Sequence, residues 1–277
     1  WGGHFGFHDA YPKHVMQLGA DALITSIHKA LPGYSASALL LAQTTLLSAD
    51  RLSQSFETTH TTSPAGAPLA SIDAVRALLL TRGEELLGAL LTNVNEFKLA
   101  VQANFDLPIF LGTSDFRNGH FDPAKIVLRA NQLGASGVEI ERELIKQGIR
   151  VEMADRDTIV FLATLADTKE DFQALAMKLV PILKKSQGAP RESAAALSWS
   201  VIPQIAMSMR DAYFAHTEMI SADVAIGRVS ADLIAPYPPG VAVIAPGEVL
   251  TEQIVKGLSA SQKAGVRIAY ATDPTLA

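Results

Sequence analysis

The sequence predicts a mixed α/β fold with more than one domain. Short apolar runs typical of strands occur near the start of the chain, and a long run with helical apolar spacing follows at residues 70–102. After about residue 107, strand and helix patterns alternate, which is typical of a small α+β domain whose helices pack on a sheet. A chain of 277 residues is long enough for one large domain or two modest ones with sizeable cores.

The first hundred residues are predicted to contain two strands followed by helices. The predicted elements are a strand at residues 21–26, a second strand at 36–43, a helix at 48–55 and helical structure at 70–102. We expect the first strand to be buried and to lead into Lys29, after which the Pro32-Gly33 pair turns the chain. The long helical stretch is either one connecting helix or a pair, because Gly83 and Gly88 are weak helix formers.

The middle of the chain has the pattern strand, helix, strand, strand, helix. The predicted elements are a strand at residues 125–130, a helix at 136–147, a hairpin made of 149–153 and 158–164, and a helix at 169–185. Gly148 is expected to end the first of these helices. The polar, proline-containing stretch 187–193 is the best candidate for a linker, and residues 203–277 form a last unit.

The composition argues against several classes of partner. The formal net charge of -5, without a basic cluster, disfavours nucleic acid and anionic membranes, and no apolar run is long enough to span a bilayer. The absence of cysteine excludes disulfides and thiolate metal sites and is compatible with a cytoplasmic location. His4 and His8 have metal-like spacing, but the glycines around them disfavour a preformed site, so we assign no metal.

Lys29 is the residue most suggestive of covalent chemistry. It follows the strand predicted to be buried, and burying an ammonium group is costly, so such a position favours the neutral amine. A neutral amine can attack an aldehyde to form a Schiff base, and Ser26 and His28 supply hydrogen-bond donors suited to a phosphate. A surface lysine just beyond the end of a strand explains the same pattern, and the residues alone leave both interpretations open.

Four motifs in order extend over almost the whole chain. They are Ser26-x-His28-Lys29-x-Leu31-Pro32-Gly33, then Thr61-Thr62-Ser63-Pro64, then Gly227-Arg228-Val229-Ser230-Ala231, and as the fourth the Pro-Tyr-Pro-Pro-Gly sequence together with the Pro-Gly-Glu sequence that follows it. In these motifs the chain resembles the bacterial Orn/Lys/Arg decarboxylase family, whose members are fold-type-I, aspartate aminotransferase-like, pyridoxal-phosphate enzymes. The resemblance implies three parts. Residues 1–105 would be the C-terminal part of the cofactor-binding large domain with its connecting helix, 106–188 a small α+β domain, and 189–277 the family's α+β C-terminal domain.

The resemblance also implies roles for the residues that match the cofactor-binding motifs. Lys29 would form the Schiff base with pyridoxal 5'-phosphate, and Ser26 and His28 would hold the cofactor phosphate. Thr61 would reach across a dimer interface to the partner's phosphate. The protein would then be a homodimer or an assembly of dimers.

The implied reaction is the decarboxylation of a basic amino acid to the corresponding amine, which is a lyase reaction that belongs to polyamine biosynthesis. Trp1 matches an aromatic residue that lines the substrate pocket in some relatives. Relatives use an acidic residue ahead of the Gly-Arg-x-Ser-Ala segment to bind the distal cation of the substrate, and Glu218 is the first candidate here, with Asp223 next. Arginine, lysine and ornithine all remain open as substrates.

The chain begins with Trp1 rather than Met, so we expect it to be a C-terminal fragment. The family's aspartate for the pyridine nitrogen, its ring-stacking histidine and its phosphate loop would all precede Trp1. The fragment alone is therefore expected to be inactive. Two alternatives stay open: a non-catalytic relative that binds and regulates an active decarboxylase, and another fold-type-I enzyme such as an aminotransferase.

Overall fold

A computed structural model describes residues 2–43, 46–116, 121–193, 201–237 and 240–276. The chain divides into two compact units. The first unit comprises Trp1–Val127 and Phe161–Val180, and the second unit comprises Leu128–Val160 and Pro181–Ala277. Within the described ranges, no helix is both long enough and apolar enough to cross a membrane. The predicted mixed α/β composition is confirmed.

In the first unit, strands β1 (Ala22–Ser26) and β2 (Ala38–Ala42) pair antiparallel, with Ser26 opposite Ala38. Both strands lie where they were predicted. The expectation that β1 is buried throughout is wrong, because its side chains alternate and Ile24 is 74% exposed. The apolar run therefore predicted the position of the strand correctly, but it did not indicate whether one or both faces of the strand are buried.

The predicted helical stretch is one continuous helix. Helix α1 (Ala49–Thr59) begins at Ser48, whose hydroxyl accepts a hydrogen bond from the backbone N–H of Arg51, and α2 (Gly66–Gln102) follows it. Buried residues recur in α2 every three or four positions: Val75, Leu79, Gly83, Leu87, Leu90, Val94, Phe97 and Val101. At the two glycines the N-terminal segment lies against the helix, since a Cβ on Gly83 or Gly88 would come within 3.2 Å of the Phe7 or His8 side chain.

The predicted order strand, helix, strand, strand, helix is confirmed in the middle of the chain. The elements are β3 (Lys125–Arg129), α3 (Gly137–Lys146), β4 (Met153–Ala154), β5 (Thr158–Leu162) and α4 (Lys169–Ser186). The three strands form a sheet in the order β3-β5-β4, with β4 and β5 antiparallel. The turn between them is closed by the Asp155 carboxylate, which accepts hydrogen bonds from the backbone N–H groups of Asp157 at 2.8 Å and Thr158 at 2.6 Å.

The last part of the second unit has its own small core. Its elements are α5 (Met209–Phe214), β6 (Ala235–Tyr237), α6 (Glu252–Lys263) and β7 (Arg267–Ala269), with β6 and β7 antiparallel. The core residues are Val243, Ile244, Ile254, Leu258 and Ile268. The hydroxyls of Ser208 and Thr251 cap the two helices by accepting backbone N–H groups of the first turn.

Residues 187–193 have no helix or strand, as expected of a linker, but they are bound to the rest of the second unit. The backbone N–H of Arg191 donates to the carbonyl of Asn131 at 3.0 Å. Its guanidinium contacts the carboxylate of Asp157 and donates to the carbonyls of Ala135 and Arg156, each at 2.6 Å. This stretch is therefore fixed to the preceding α+β elements.

We predict that Arg191→Ala lowers the free energy of unfolding by roughly 1.5–3 kcal/mol, which is the range for a hydrogen bond to a charged group. The Asp157 side chain is only 12% exposed, so its carboxylate would lose a partner that water replaces poorly. Urea denaturation measures the change. Arg76→Ala is the matched control, because Arg76 pairs with an exposed Asp73 and should contribute at most about 1 kcal/mol. Equal effects of the two substitutions would contradict this role of Arg191.

We predict that Ala36→Gly raises stability by about 1 kcal/mol. Ala36 has a φ of 68°, in the left-handed region where a Cβ costs about 1–2 kcal/mol and glycine carries no such cost. The thermal midpoint should rise. Ala38→Gly, in the extended backbone of β2, is the control and should instead destabilise by about 0.5–1 kcal/mol. A loss of stability in Ala36→Gly would show that the left-handed turn is not strained.

Candidate active site

The loop between β1 and β2 carries Lys29 and turns back sharply after it. The backbone N–H of Ile27 donates to the carbonyl of Ser37 at 3.0 Å, and that of Gly33 donates to the carbonyl of Ile27 at 3.0 Å. A Cβ on Gly33 would lie 2.7 Å from the carbonyl oxygen of Ile27, so no other residue fits the turn without displacing the backbone. The glycine of the Leu-Pro-Gly sequence thus allows the chain to close immediately behind Lys29.

Two apolar side chains on either side of Lys29 anchor the loop. Ile27 and Leu31 are each 3% exposed and form a buried cluster with Val75 and Leu79 of α2. Because the anchors face inward, Lys29 between them lies exposed at the surface. The expectation that Lys29 is buried is therefore wrong, and the surface position that the residues also allowed is the observed one. The side chain of Lys29 is therefore open to solvent rather than enclosed by the core.

His28 is held by the turn that leads into β2. Its Nδ1 lies 2.8 Å from the carbonyl oxygen of Ser37, and a carbonyl only accepts, so Nδ1 carries the hydrogen. The Ser37 hydroxyl donates to the carbonyl of Tyr34 at 2.7 Å, and the backbone N–H of Tyr34 donates to the hydroxyl of Ser71 in α2 at 3.0 Å. The orientation of the half-buried ring is therefore set through three successive hydrogen bonds, and Nε2 is left for a ligand.

The remaining residues assigned to the cofactor lie in different positions. Ser26 is the last residue of β1 and is half-buried. Thr61 is exposed in the loop between α1 and α2, where its hydroxyl accepts the backbone N–H of Ser63 at 3.2 Å. Trp1 lies outside the described residues. The structure thus places Ser26 and His28 within one short segment with Lys29, while Thr61 belongs to a separate loop.

His4 forms a buried pair with Asp122 that no sequence motif indicates. His4 is 2% exposed, and its Nε2 lies 3.2 Å from the carboxylate of Asp122, 118 residues away. Burial opposes ionisation of Asp122, but the hydrogen bond and charge of His4, with the charge of Lys125, hold the pKa of Asp122 below its ordinary value. His8 accepts the backbone N–H of Ala10 at 3.0 Å. The part of the chain that the structure describes contains no group of three or more side chains arranged to bind a metal.

The residue proposed for substrate binding lines a cavity in the second unit. The cavity has a volume of about 930 Å³, and its lining includes Glu218 but not Asp223, which lies in a short 3-10 helix. The carboxylate of Glu218 contacts the guanidinium of Arg228, and their side chains are 63% and 54% exposed. Arg228 belongs to the Gly-Arg-Val-Ser-Ala motif, but the sequence did not indicate that it pairs with Glu218.

The residues around Lys29 fit the chemistry of pyridoxal phosphate. The cofactor needs a primary amine for its aldehyde and hydrogen-bond donors for its phosphate. Lys29 supplies an exposed amine, and the neighbouring hydroxyl of Ser26 and imidazole of His28 are groups that bind phosphate. This donor set is compatible with the cofactor.

Two family models match the chain. The model of the Orn/Lys/Arg decarboxylase major domain matches residues 1–112, and the model of the Orn/Lys/Arg decarboxylase C-terminal domain matches residues 192–268. Arginine decarboxylases of Halalkalibacterium halodurans and Bacillus subtilis are each 31% identical over 99% of this chain. The chain spans 57% of the length of these two relatives.

Solved structures show the same fold. Lysine decarboxylase A from Pseudomonas aeruginosa superimposes with a TM-score of 0.74 at 19% identity, over 92% of this chain and 47% of its own. The constitutive lysine decarboxylase of E. coli superimposes with a TM-score of 0.69 at 18% identity, over 90% of this chain and 47% of its own. On the two matching domain models and the similarity of nearly all of this chain to part of the arginine decarboxylases, the chain belongs to the Orn/Lys/Arg decarboxylase family.

Proposed function

We propose that the protein decarboxylates a basic amino acid to the corresponding amine, with pyridoxal phosphate attached to Lys29. The observation that carries the proposal is the exposed amine of Lys29 directly after His28, whose ring is fixed by the Ser37 carbonyl at 2.8 Å. When bound, pyridoxal phosphate supplies the electron sink that accepts the charge left by carbon dioxide. The chain supplies the attachment point, holds the phosphate and binds the substrate.

Ser26 and His28 are proposed to hold the phosphate. Since Nδ1–H of His28 is engaged by Ser37, the ring donates to the phosphate from Nε2 only when it carries both protons. The hydroxyl of Ser26 donates without such a requirement. The proposal assigns Thr61 to the phosphate site of a partner copy in a homodimer, which agrees with its exposed position outside the Lys29 loop.

Glu218 is proposed to bind the distal cation of the substrate, and Trp1 to line the substrate pocket. Glu218 already faces a guanidinium, that of Arg228, in the cavity of the second unit. Among arginine, lysine and ornithine, arginine is proposed first, because the relatives similar over 99% of the chain are named arginine decarboxylases. The protein is proposed to act in the cytoplasm.

The proposed domain arrangement follows the family. Residues 1–105 would complete a fold-type-I large domain and its connecting helix, 106–188 a small α+β domain, and 189–277 the C-terminal domain. The extent of the two matching models, 1–112 and 192–268, supports the outer two parts.

We predict that Lys29→Ala abolishes both the visible absorbance of bound cofactor and the release of carbon dioxide from arginine, lysine and ornithine. The test uses the protein as its gene encodes it, purified with pyridoxal phosphate. Lys256→Ala is the matched control, because this exposed lysine on α6 pairs with Glu252 and should leave both signals unchanged. A colourless, inactive unsubstituted protein would contradict the proposal and favour a regulatory relative.

We predict that His28→Asn weakens the binding of pyridoxal phosphate by at least tenfold while leaving stability nearly unchanged. The asparagine amide can still donate to the Ser37 carbonyl, but it has no nitrogen in the position of Nε2. A charge-assisted hydrogen bond contributes about 1.5–3 kcal/mol, which sets the size of the loss. Cofactor titration followed by absorbance measures it, and urea denaturation checks the fold. Unchanged cofactor affinity would remove His28 from the phosphate site.

A further inference from the structure

The cavity of the second unit has the size and lining of a site for a small molecule. Its volume of about 930 Å³ lies within the range of ligand pockets, roughly 300–1,000 Å³. Apolar side chains that include Ile234, Leu250 and Leu258 form part of its wall, and Glu218 and Arg228 are also among its lining residues. An apolar surface with a few charged groups suits a ligand that has an aliphatic body and a charged end.

The charges of the lining favour a cation. Carboxylates are contributed by Glu218, Asp232 and Asp273, against the guanidinium of Arg228 and the imidazole of His216. The Asp232 carboxylate accepts the backbone N–H and hydroxyl of Thr272 at 2.7 and 3.1 Å, and that of Asp273 accepts the corresponding groups of Thr275. Glu218 differs, because its described partner is the guanidinium of another side chain.

The side chain of Arg228 can leave Glu218 while its backbone stays in place. The backbone N–H of Arg228 donates to the carbonyl of Ala225 at 2.9 Å, and its carbonyl accepts the N–H of Leu250 at 2.9 Å. Both side chains of the ion pair are more than half exposed. Exposed pairs of this kind change an equilibrium by about fivefold at most, so a ligand can displace Arg228 at small cost.

We propose that Arg228 is a tethered competitor for the cationic ligand of Glu218, and that the ligand binds by exchanging its own guanidinium for that of Arg228. This inference rests on the proposed function, since it concerns the residue assigned there to the distal cation. Glu218 already accepts an N–H of the Arg228 guanidinium, and a guanidinium can offer a carboxylate two parallel donors where an ammonium offers a single point charge. Arg228 thereby selects among ligands. Cations that bind Glu218 weakly leave the Arg228–Glu218 pair intact, and guanidinium compounds displace Arg228 from Glu218.

Titration calorimetry with agmatine tests the exchange without any reaction, because agmatine has the guanidinium of arginine and no carboxylate to lose. We expect Arg228→Gln to bind agmatine up to about fivefold more tightly, as the competitor is removed. Glu218→Gln should bind it up to about fivefold more weakly, as the exposed pair with the ligand is lost. In the Glu218→Gln, Arg228→Gln double variant, the gain from removing Arg228 should disappear. 1,4-Diaminobutane, which carries ammonium groups, should bind more weakly than agmatine.

Arg82→Gln is the matched control, because Arg82 forms an equally exposed pair with Glu85 on α2, outside the cavity. It should leave agmatine binding unchanged, and thermal melting checks that each variant folds. Weaker binding in Arg228→Gln would overturn the inference, as would full affinity in Glu218→Gln or the absence of agmatine binding. If carbon dioxide release fails but the calorimetric pattern holds, the exchange stands and the proposed reaction falls. If carbon dioxide is released but Arg228→Gln binds agmatine more weakly, the proposed reaction stands and the exchange at Glu218 falls.

Discussion

The position of Lys29 depends on the packing of Ile27 and Leu31 against α2. Each buried side chain of this type contributes about 1.5–3 kcal/mol, and Val75 and Leu79, one helical turn apart, form the surface that receives them. The two anchors flank the exposed Lys29 in the sequence, so the packing that fixes the loop also fixes the segment that carries the amine. It also outweighs the cost of about 1–2 kcal/mol for the left-handed conformation of Ala36 at the far end of the loop.

Most of the secondary structure could be predicted because it follows from local signals. The spacing of apolar residues predicted most strands and helices of the first 186 residues, although β4 lies at Met153–Ala154 and not at the predicted 149–153. Helix α2 continues through Gly83, which is buried against Phe7. Whether Lys29 is buried or exposed could not be predicted from the same signals. An apolar run such as residues 21–26 does not reveal whether one or both faces of a strand are covered, and β1 alternates between buried and exposed side chains.

Side-chain pairs were harder to predict, because each partner is unremarkable by itself. His4 and Asp122 are 118 residues apart, and Arg191 and Asp157 are 34 apart, so no local pattern joins them. Arg191 also lies in a polar stretch whose composition is typical of a linker. The sequence motifs therefore predicted which residues form the candidate site. They did not predict the groups that orient these residues, such as the Ser37 carbonyl that contacts His28.

Two arginine–carboxylate contacts of the second unit, Arg191–Asp157 and Arg228–Glu218, show how the surroundings decide the role of one chemical pair. Arg191 is 28% exposed, faces a carboxylate that is 12% exposed, and also donates to two backbone carbonyls. Removing it would take one donor from the buried Asp157 carboxylate, which Arg156 also contacts, and one from the carbonyl of Ala135, so the contact is structural. Arg228 is half exposed, and its backbone hydrogen bonds persist whichever way its side chain points.

In the proposed exchange a ligand competes for Glu218 without opening the fold, whereas the contact of Arg191 with Asp157 is one of several that hold residues 187–193 in place. The bonds described for Arg228 lie in the second unit, and those that hold the Lys29 loop lie in the first. The cation selection proposed for Glu218 and the cofactor attachment proposed for Lys29 thus rest on separate sets of contacts. Substitutions at Glu218 or Arg228 can therefore change cation binding while the contacts that hold the Lys29 loop stay unchanged.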